Sequence, residues 1–179
     1  MNSKRKVYVL LTRFPGKTAK AIHVATGCYY THASIGLEED LDTFYSVVGK
    51  GFIVEKITRY VRPDRSPFPC QLYELEVSER TYRSIKKLLD LCLENKHELR
   101  YTWLGVVLSM VRIPYRRKHC YFCSQFVADI LKQAQAARLK KDSALYHPGD
   151  FRSLPGMRLH FQGDLQSMLQ HFCLAPRLA

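Results

Sequence analysis

Strand-like runs crowd the first half of this chain and helix-periodic runs the second, and that segregation constrains the fold more than any other feature. Residues 6–12, 31–37, 43–48 and 51–57 are short runs rich in β-branched and aromatic side chains. The turn residues Phe14-Pro15-Gly16 end the first, and the polar stretch 38–42 joins the second to the third as a hairpin. Pro63, Pro67 and Pro69 break the meander. Residues 71–77 then alternate apolar and polar in the manner of a half-buried strand. From Ser78 the period changes: this residue is an N-cap for a helix to about residue 96, with Tyr82, Ile85, Leu89 and Cys92 at helical spacing. Residues 101–111 predict a buried helix. Residues 122–137 predict another, with Phe122, Phe126, Val127, Ile130 and Ala134 inward. A short strand at 157–161 precedes a last helix at 164–172. Only a brief helix at 17–26, closed by Gly27, interrupts the strand-rich half. The expected fold is therefore α+β: an antiparallel β-sheet, a small barrel-like meander, packed against helices, and not a βαβ repeat.

With 179 residues and no repeat, linker or low-complexity tract, residues 1–179 are expected to form a single domain. A composition 46% hydrophobic and 25% charged excludes a disordered chain, a collagen or a small disulfide-stapled scaffold. The longest apolar stretch, 103–111, is interrupted by Gly105 and Ser109 and falls short of the ~20 residues that span a bilayer. The basic N-terminus is followed by an apolar run too short for a secretory signal, with Arg13 close behind. A cytoplasmic protein is expected, with its six cysteines (28, 70, 92, 120, 123 and 173) as thiols. The 28 Lys+Arg exceed the 16 Asp+Glu by 12, which favours anionic partners. Basic groups at 4–6, 59–65, 112–118 and 138–141 are dispersed, and no nucleic-acid recognition motif accompanies them. An anionic surface or acidic substrate is thus the expected charged partner, and nucleic acid is not.

Glycine-rich phosphate loops, His-Glu-x-x-His and Gly-x-Ser-x-Gly are all absent, so no cofactor is expected. Two local features could carry chemistry. In Tyr30-Thr31-His32-Ala33-Ser34-Ile35-Gly36, alternation places His32, Ser34 and Gly36 on one face, where small neighbours leave room for the imidazole. In His119-Cys120-Tyr121-Phe122-Cys123-Ser124-Gln125-Phe126, Cys123 stands at a helix entrance, where the dipole and unpaired N–H groups favour thiolate. Each taken alone has a plain structural reading: a histidine at the edge of the core, and a buried cysteine on the stripe of Val127 and Ile130. Cys120-x-x-Cys123 with His119 lacks the second ligand pair that a structural zinc takes, so no metal site is expected. His147 and Trp103 receive no functional role; Trp103 reads as core.

A cysteine nucleophile needs a base and a group that orients that base. The segments Thr31-His32-Ala33-Ser34-Ile35-Gly36 and Tyr121-Phe122-Cys123-Ser124-Gln125-Phe126-Val127 together resemble the permuted branch of the NlpC-type, papain-like cysteine hydrolases. Relatives of that branch include lecithin-retinol acyltransferase-like enzymes. There the histidine strand comes first and the cysteine helix follows, as it does here over roughly residues 5–135. The resemblance implies a circularly permuted papain-like fold, with Cys123 as nucleophile and His32 as general base. It also implies an acyl-enzyme formed from a small peptide, amide or lipid-type acyl substrate. Peptidase or amidase activity is the first expectation; acyl transfer, (phospho)lipid-directed hydrolysis and a non-catalytic binding protein are the alternatives. The resemblance further implies an orienting group on the next strand, at Tyr45 if Phe44 and Ser46 face the core, or at Ser46 if the register shifts by one.

Overall fold

The computed structural model describes residues 4–62 and 66–174. Pro63, Arg65 and the side chain of Cys173 lie outside the described residues. Extended, β-rich segments need ladder partners, and four find them in sequence order: β1 (Lys4–Thr12), β2 (His32–Leu37), β3 (Thr43–Val48) and β4 (Gly51–Lys56). Helix α1 (Lys17–Thr26) bridges β1 and β2. Strand β5 (Pro69–Ser78) returns along the other side of β1, and Ser78 caps α2 (Glu79–Glu94) by accepting from the Thr81 N–H at 3.2 Å. Two short strands, β6 (Arg100–Tyr101) and β7 (Cys120–Tyr121), pair in parallel and flank α3 (Trp103–Met110). Then follow α4 (Cys123–Gln133), β8 (Met157–Asp164), which adds to β5, and α5 (Leu165–Leu169).

The fold is α+β, a six-stranded antiparallel sheet in the order β4-β3-β2-β1-β5-β8 packed against helices. The barrel-like closure expected from the sequence is not found. β4 and β8 are edges that do not pair with each other, so the ladder ends on both sides. No helix among the described residues is long and apolar enough to cross a membrane.

Alternation gives this sheet two buried faces. On one, Val7, Val9, Leu11, Ala33, Ile35 and Val47 meet Ile85 and Leu89 of α2 and Phe126, Val127 and Leu131 of α4. On the other, Tyr8, Leu10, Phe44 and Leu72 meet Leu165, Met168 and Leu169 of α5. A five-residue helix is not stable alone; roughly 1.5–3 kcal/mol per fully buried large side chain holds it in place. The His32-Ser34-Gly36 face of β2 is therefore itself interior, with Ser34 fully buried.

Two helices differ from their sequence reading. The segment expected as a buried helix over 101–111 is α3, and it buries only one stripe, leaving Trp103, Leu104 and Val107 exposed. Its apolar composition gave no polar stripe by which an outer face could be recognised. Conversely, α4 is buried all round from Cys123 to Leu131, Gln125 and Asp129 included. The segment after it folds back over the outer side, where Ser143 bonds Asp129 and Ser124 Oγ donates to the Tyr146 carbonyl at 2.6 Å.

Gly36 is needed by close approach: a Cβ there would lie 2.6 Å from the ring of Phe44, which is itself fully buried. Gly36→Ala is expected to cost about 1–3 kcal/mol. Thermal denaturation followed by circular dichroism should show a melting point lower by about 2–4 °C per kcal/mol.

Candidate active site

His32 opens β2, opposite Thr12 of β1, and its imidazole is almost wholly buried. Its Nε2 lies 2.6 Å from Oε1 of Glu55 on β4. Glu55 is 2% exposed and stands in the alternation phase of Ile53 and Ile57, an acid within an apolar stripe. The carboxylate reaches the ring from β4, two strands away in the sheet. With Nε2 engaged by the carboxylate, Nδ1 is the ring nitrogen left for a further partner. Phe14 packs on the imidazole with ring centroids 5.6 Å apart, and Tyr60 and Phe68 back Phe14.

Cys123 is the first residue of α4. The β6–β7 ladder delivers it: Arg100 N–H donates to the His119 carbonyl at 2.8 Å and Thr102 N–H to the Tyr121 carbonyl at 3.0 Å. The first helical bond runs from Phe126 N–H to the Phe122 carbonyl, so the amides of Cys123, Ser124 and Gln125 point out of the helix end. Burial disfavours the Cys123 thiolate, but the His32 imidazole and the backbone amides of Ala33 and Ser124 outweigh it, and the thiol's pKa is lowered. The converse holds at His32. Burial pulls its pKa down, while the Glu55 charge, the Cys123 sulfur and the Glu55 hydrogen bond together raise it to about 10. Each group thus shifts the other towards its charged form, the thiol down and the imidazole up.

Cys123, His32 and Glu55 all line a cavity of about 350 Å³. Its remaining lining is largely apolar and includes Phe14, Ile22, Val47, Ile53, Tyr101 and Trp103. Tyr101 lies close enough for the Cys123 charge to raise its hydroxyl pKa, after burial as the larger cause. Burial and then the Glu55 charge push the Tyr60 hydroxyl up to about 12.

The orienting position expected at Tyr45 or Ser46 is not found at either residue. Tyr45 pairs with Ile35 across the ladder and stacks on Phe52 on the helix-covered face of the sheet. Ser46 Oγ donates to the Ala33 carbonyl at 2.8 Å. The partner of His32 comes instead from one strand further on. Its sequence signal was the phase of Glu55 with Ile53 and Ile57; Tyr60 and Tyr101 carried no comparable signal. Cys120 lies on β7, and His119 pairs with Glu98 at 2.9 Å. Among the described residues no group of three or more His, Cys, Asp or Glu side chains could hold a metal ion.

The fold and this cluster define an α+β protein with a buried Cys-His-Glu constellation at the end of a helix and facing a cavity. No family model matches the chain, and no curated protein matches it.

Two outcomes follow. Iodoacetamide at pH 7 should alkylate Cys123 faster than an ordinary thiol of pKa ~8.5, as mapped by peptide mass spectrometry. His32→Ala should move its rate profile up to the ordinary range. Cys70, which burial pushes up to about 12, should stay silent. The second outcome concerns stability. Because the folded pKa of His32 is raised from 6.5 to about 10, the pair's stabilisation is fully present below pH 6.5 and lost as the pH climbs towards 10. Glu55→Gln should therefore cost about 1.5–3 kcal/mol at pH 6. The difference from wild type should shrink at alkaline pH, as read by urea unfolding.

Proposed function

We propose that this protein is a cysteine hydrolase or acyl transferase acting on an ester or amide with an apolar acyl portion. The observation that carries this reading is the buried Cys123-His32-Glu55 cluster opening onto an apolar cavity. Cys123 Sγ attacks the carbonyl carbon, forming a C–S bond. The oxyanion is stabilised by the amides at the start of α4. His32 gives its proton to the departing oxygen or nitrogen as that bond breaks, leaving an acyl-enzyme. Water, or an acceptor alcohol or amine, then loses a proton to His32 and attacks the thioester, and the thiolate departs. Glu55 holds the ring in position and stabilises its charged form.

On this reading the chain is a circularly permuted papain-like domain of the NlpC type, with the histidine strand before the cysteine helix. Cys28, Cys70, Cys92, Cys120 and Cys123 are free thiols, which supports a reducing, cytoplasmic setting. The apolar walls favour an acyl chain over a charged peptide.

Incubation with p-nitrophenyl esters of increasing chain length should give hydrolysis and a mass increase of one acyl group on Cys123. Cys123→Ala should abolish both, and His32→Ala should lower the rate by about 10²–10⁴-fold. Hydrolysis that persists in Cys123→Ala, with no adduct in wild type, would overturn the assignment.

A further inference from the structure

Helix α3 turns its polar and small residues inward and its large apolar ones outward. Thr102, Gly105, Val106 and Ser109 are buried, whereas Trp103 (51% exposed), Leu104 (52%), Val107 (56%) and Val111 (62%) face away from the protein. At about 100° per residue these four positions fall within one side of the helix. Arg112 then adopts a left-handed conformation, φ 61°, and the Ile113 N–H bonds back to the Leu108 carbonyl at 2.9 Å. That turn brings Ile113, also 51% exposed, alongside the helix end. Five large apolar side chains in one exposed stretch mark an interaction surface.

The stretch of chain that carries this patch is basic, with its acidic neighbours Glu98, Asp129 and Asp142 taken up by His119 and Arg116. Residues 99–128 hold Arg100, Arg112, Arg116, Arg117 and Lys118 and neither Asp nor Glu. Arg116 is engaged with Asp129 and Asp142. Arg112, Arg117 and Lys118 are exposed and make no ion pair among the described residues. A second copy docking on the same face would bring these cations against their own counterparts. A surface that is apolar beneath a layer of negative charge matches both properties.

We propose that this face docks on an anionic phospholipid bilayer, with Trp103, Leu104, Val107 and Val111 entering the interfacial region and Arg112, Arg117 and Lys118 pairing with headgroup phosphates. Indole is well suited to that boundary. Trp103 and Tyr101 also line the cavity, so docking sets the cavity mouth at the lipid surface. The docking does not depend on the thiol chemistry, and Cys123→Ala is expected to bind like wild type.

Trp103 is the only tryptophan in the chain, so its fluorescence reports this patch and the cavity mouth beside it. Vesicles of phosphatidylcholine with phosphatidylglycerol should shift its emission to the blue and carry the protein upward on flotation, with binding weakened by salt. Pure phosphatidylcholine vesicles should bind far less. Arg117→Gln/Lys118→Gln should lower partitioning about 25-fold, roughly fivefold per charge. Val107→Glu, at an exposed position, should abolish the shift while leaving circular dichroism and melting unchanged. Emission unchanged by anionic vesicles overturns the proposal, as does equal binding to neutral ones. A dimer in sedimentation velocity, with Trp103 already blue-shifted without lipid, also overturns it and assigns the face to a second copy.

Discussion

A carboxylate with almost no access to solvent is tolerable only if another group offsets the several kcal/mol its desolvation costs. For Glu55 that group is His32, and the rest of the site depends on their contact. The pairing raises the imidazole pKa and fixes which nitrogen is free. The imidazole in turn lowers the pKa of the buried thiol against the cost of its desolvation. Both faces of the sheet contribute. Phe44 and Ile57, neighbours of Glu55, belong to one core, and Ala33 belongs to the opposite core while its amide reaches Cys123.

The second constraint is the seat of α4. Enclosing this helix on every side required burial of Ser124, Gln125 and Asp129, and the returning segment with Ser143 and Tyr146 meets the needs of Ser124 and Asp129. Arg116 belongs to the same network through Asp129 and Asp142, and it also sits in the loop between α3 and β7. The exposed face of α3 and the thiol at the start of α4 are thus joined by one short piece of chain with an anchor in its middle.

Much of this was legible in the residues. β-rich runs between turn residues placed β1 to β4, alternation placed β5, Ser78 marked the start of α2, and the stripe of Phe126, Val127 and Ile130 marked α4. His32 and Cys123 stood out by strand phase and helix position. What was hidden depended on three dimensions. The family resemblance points to the next strand, at Tyr45 or Ser46, whereas the group that reaches the ring is a glutamate two strands away. The exposed side of α3 was hidden because an apolar octapeptide looks the same whether it is enclosed or half-uncovered. Closure of the sheet could not be read at all, since pairing between β4 and β8 is not encoded in the pattern of either strand alone.

The three groups come from positions 32, 55 and 123, carried by segments with no local reason to meet. The chemistry of the sulfur is consequently a property of the assembled tertiary structure and not of any fragment. Loosen the sheet or unseat the helix, and the residue reverts to an ordinary cysteine. Its rate of modification thereby becomes a gauge of how much of the population is natively folded at any moment, a built-in sensor that needs no added label.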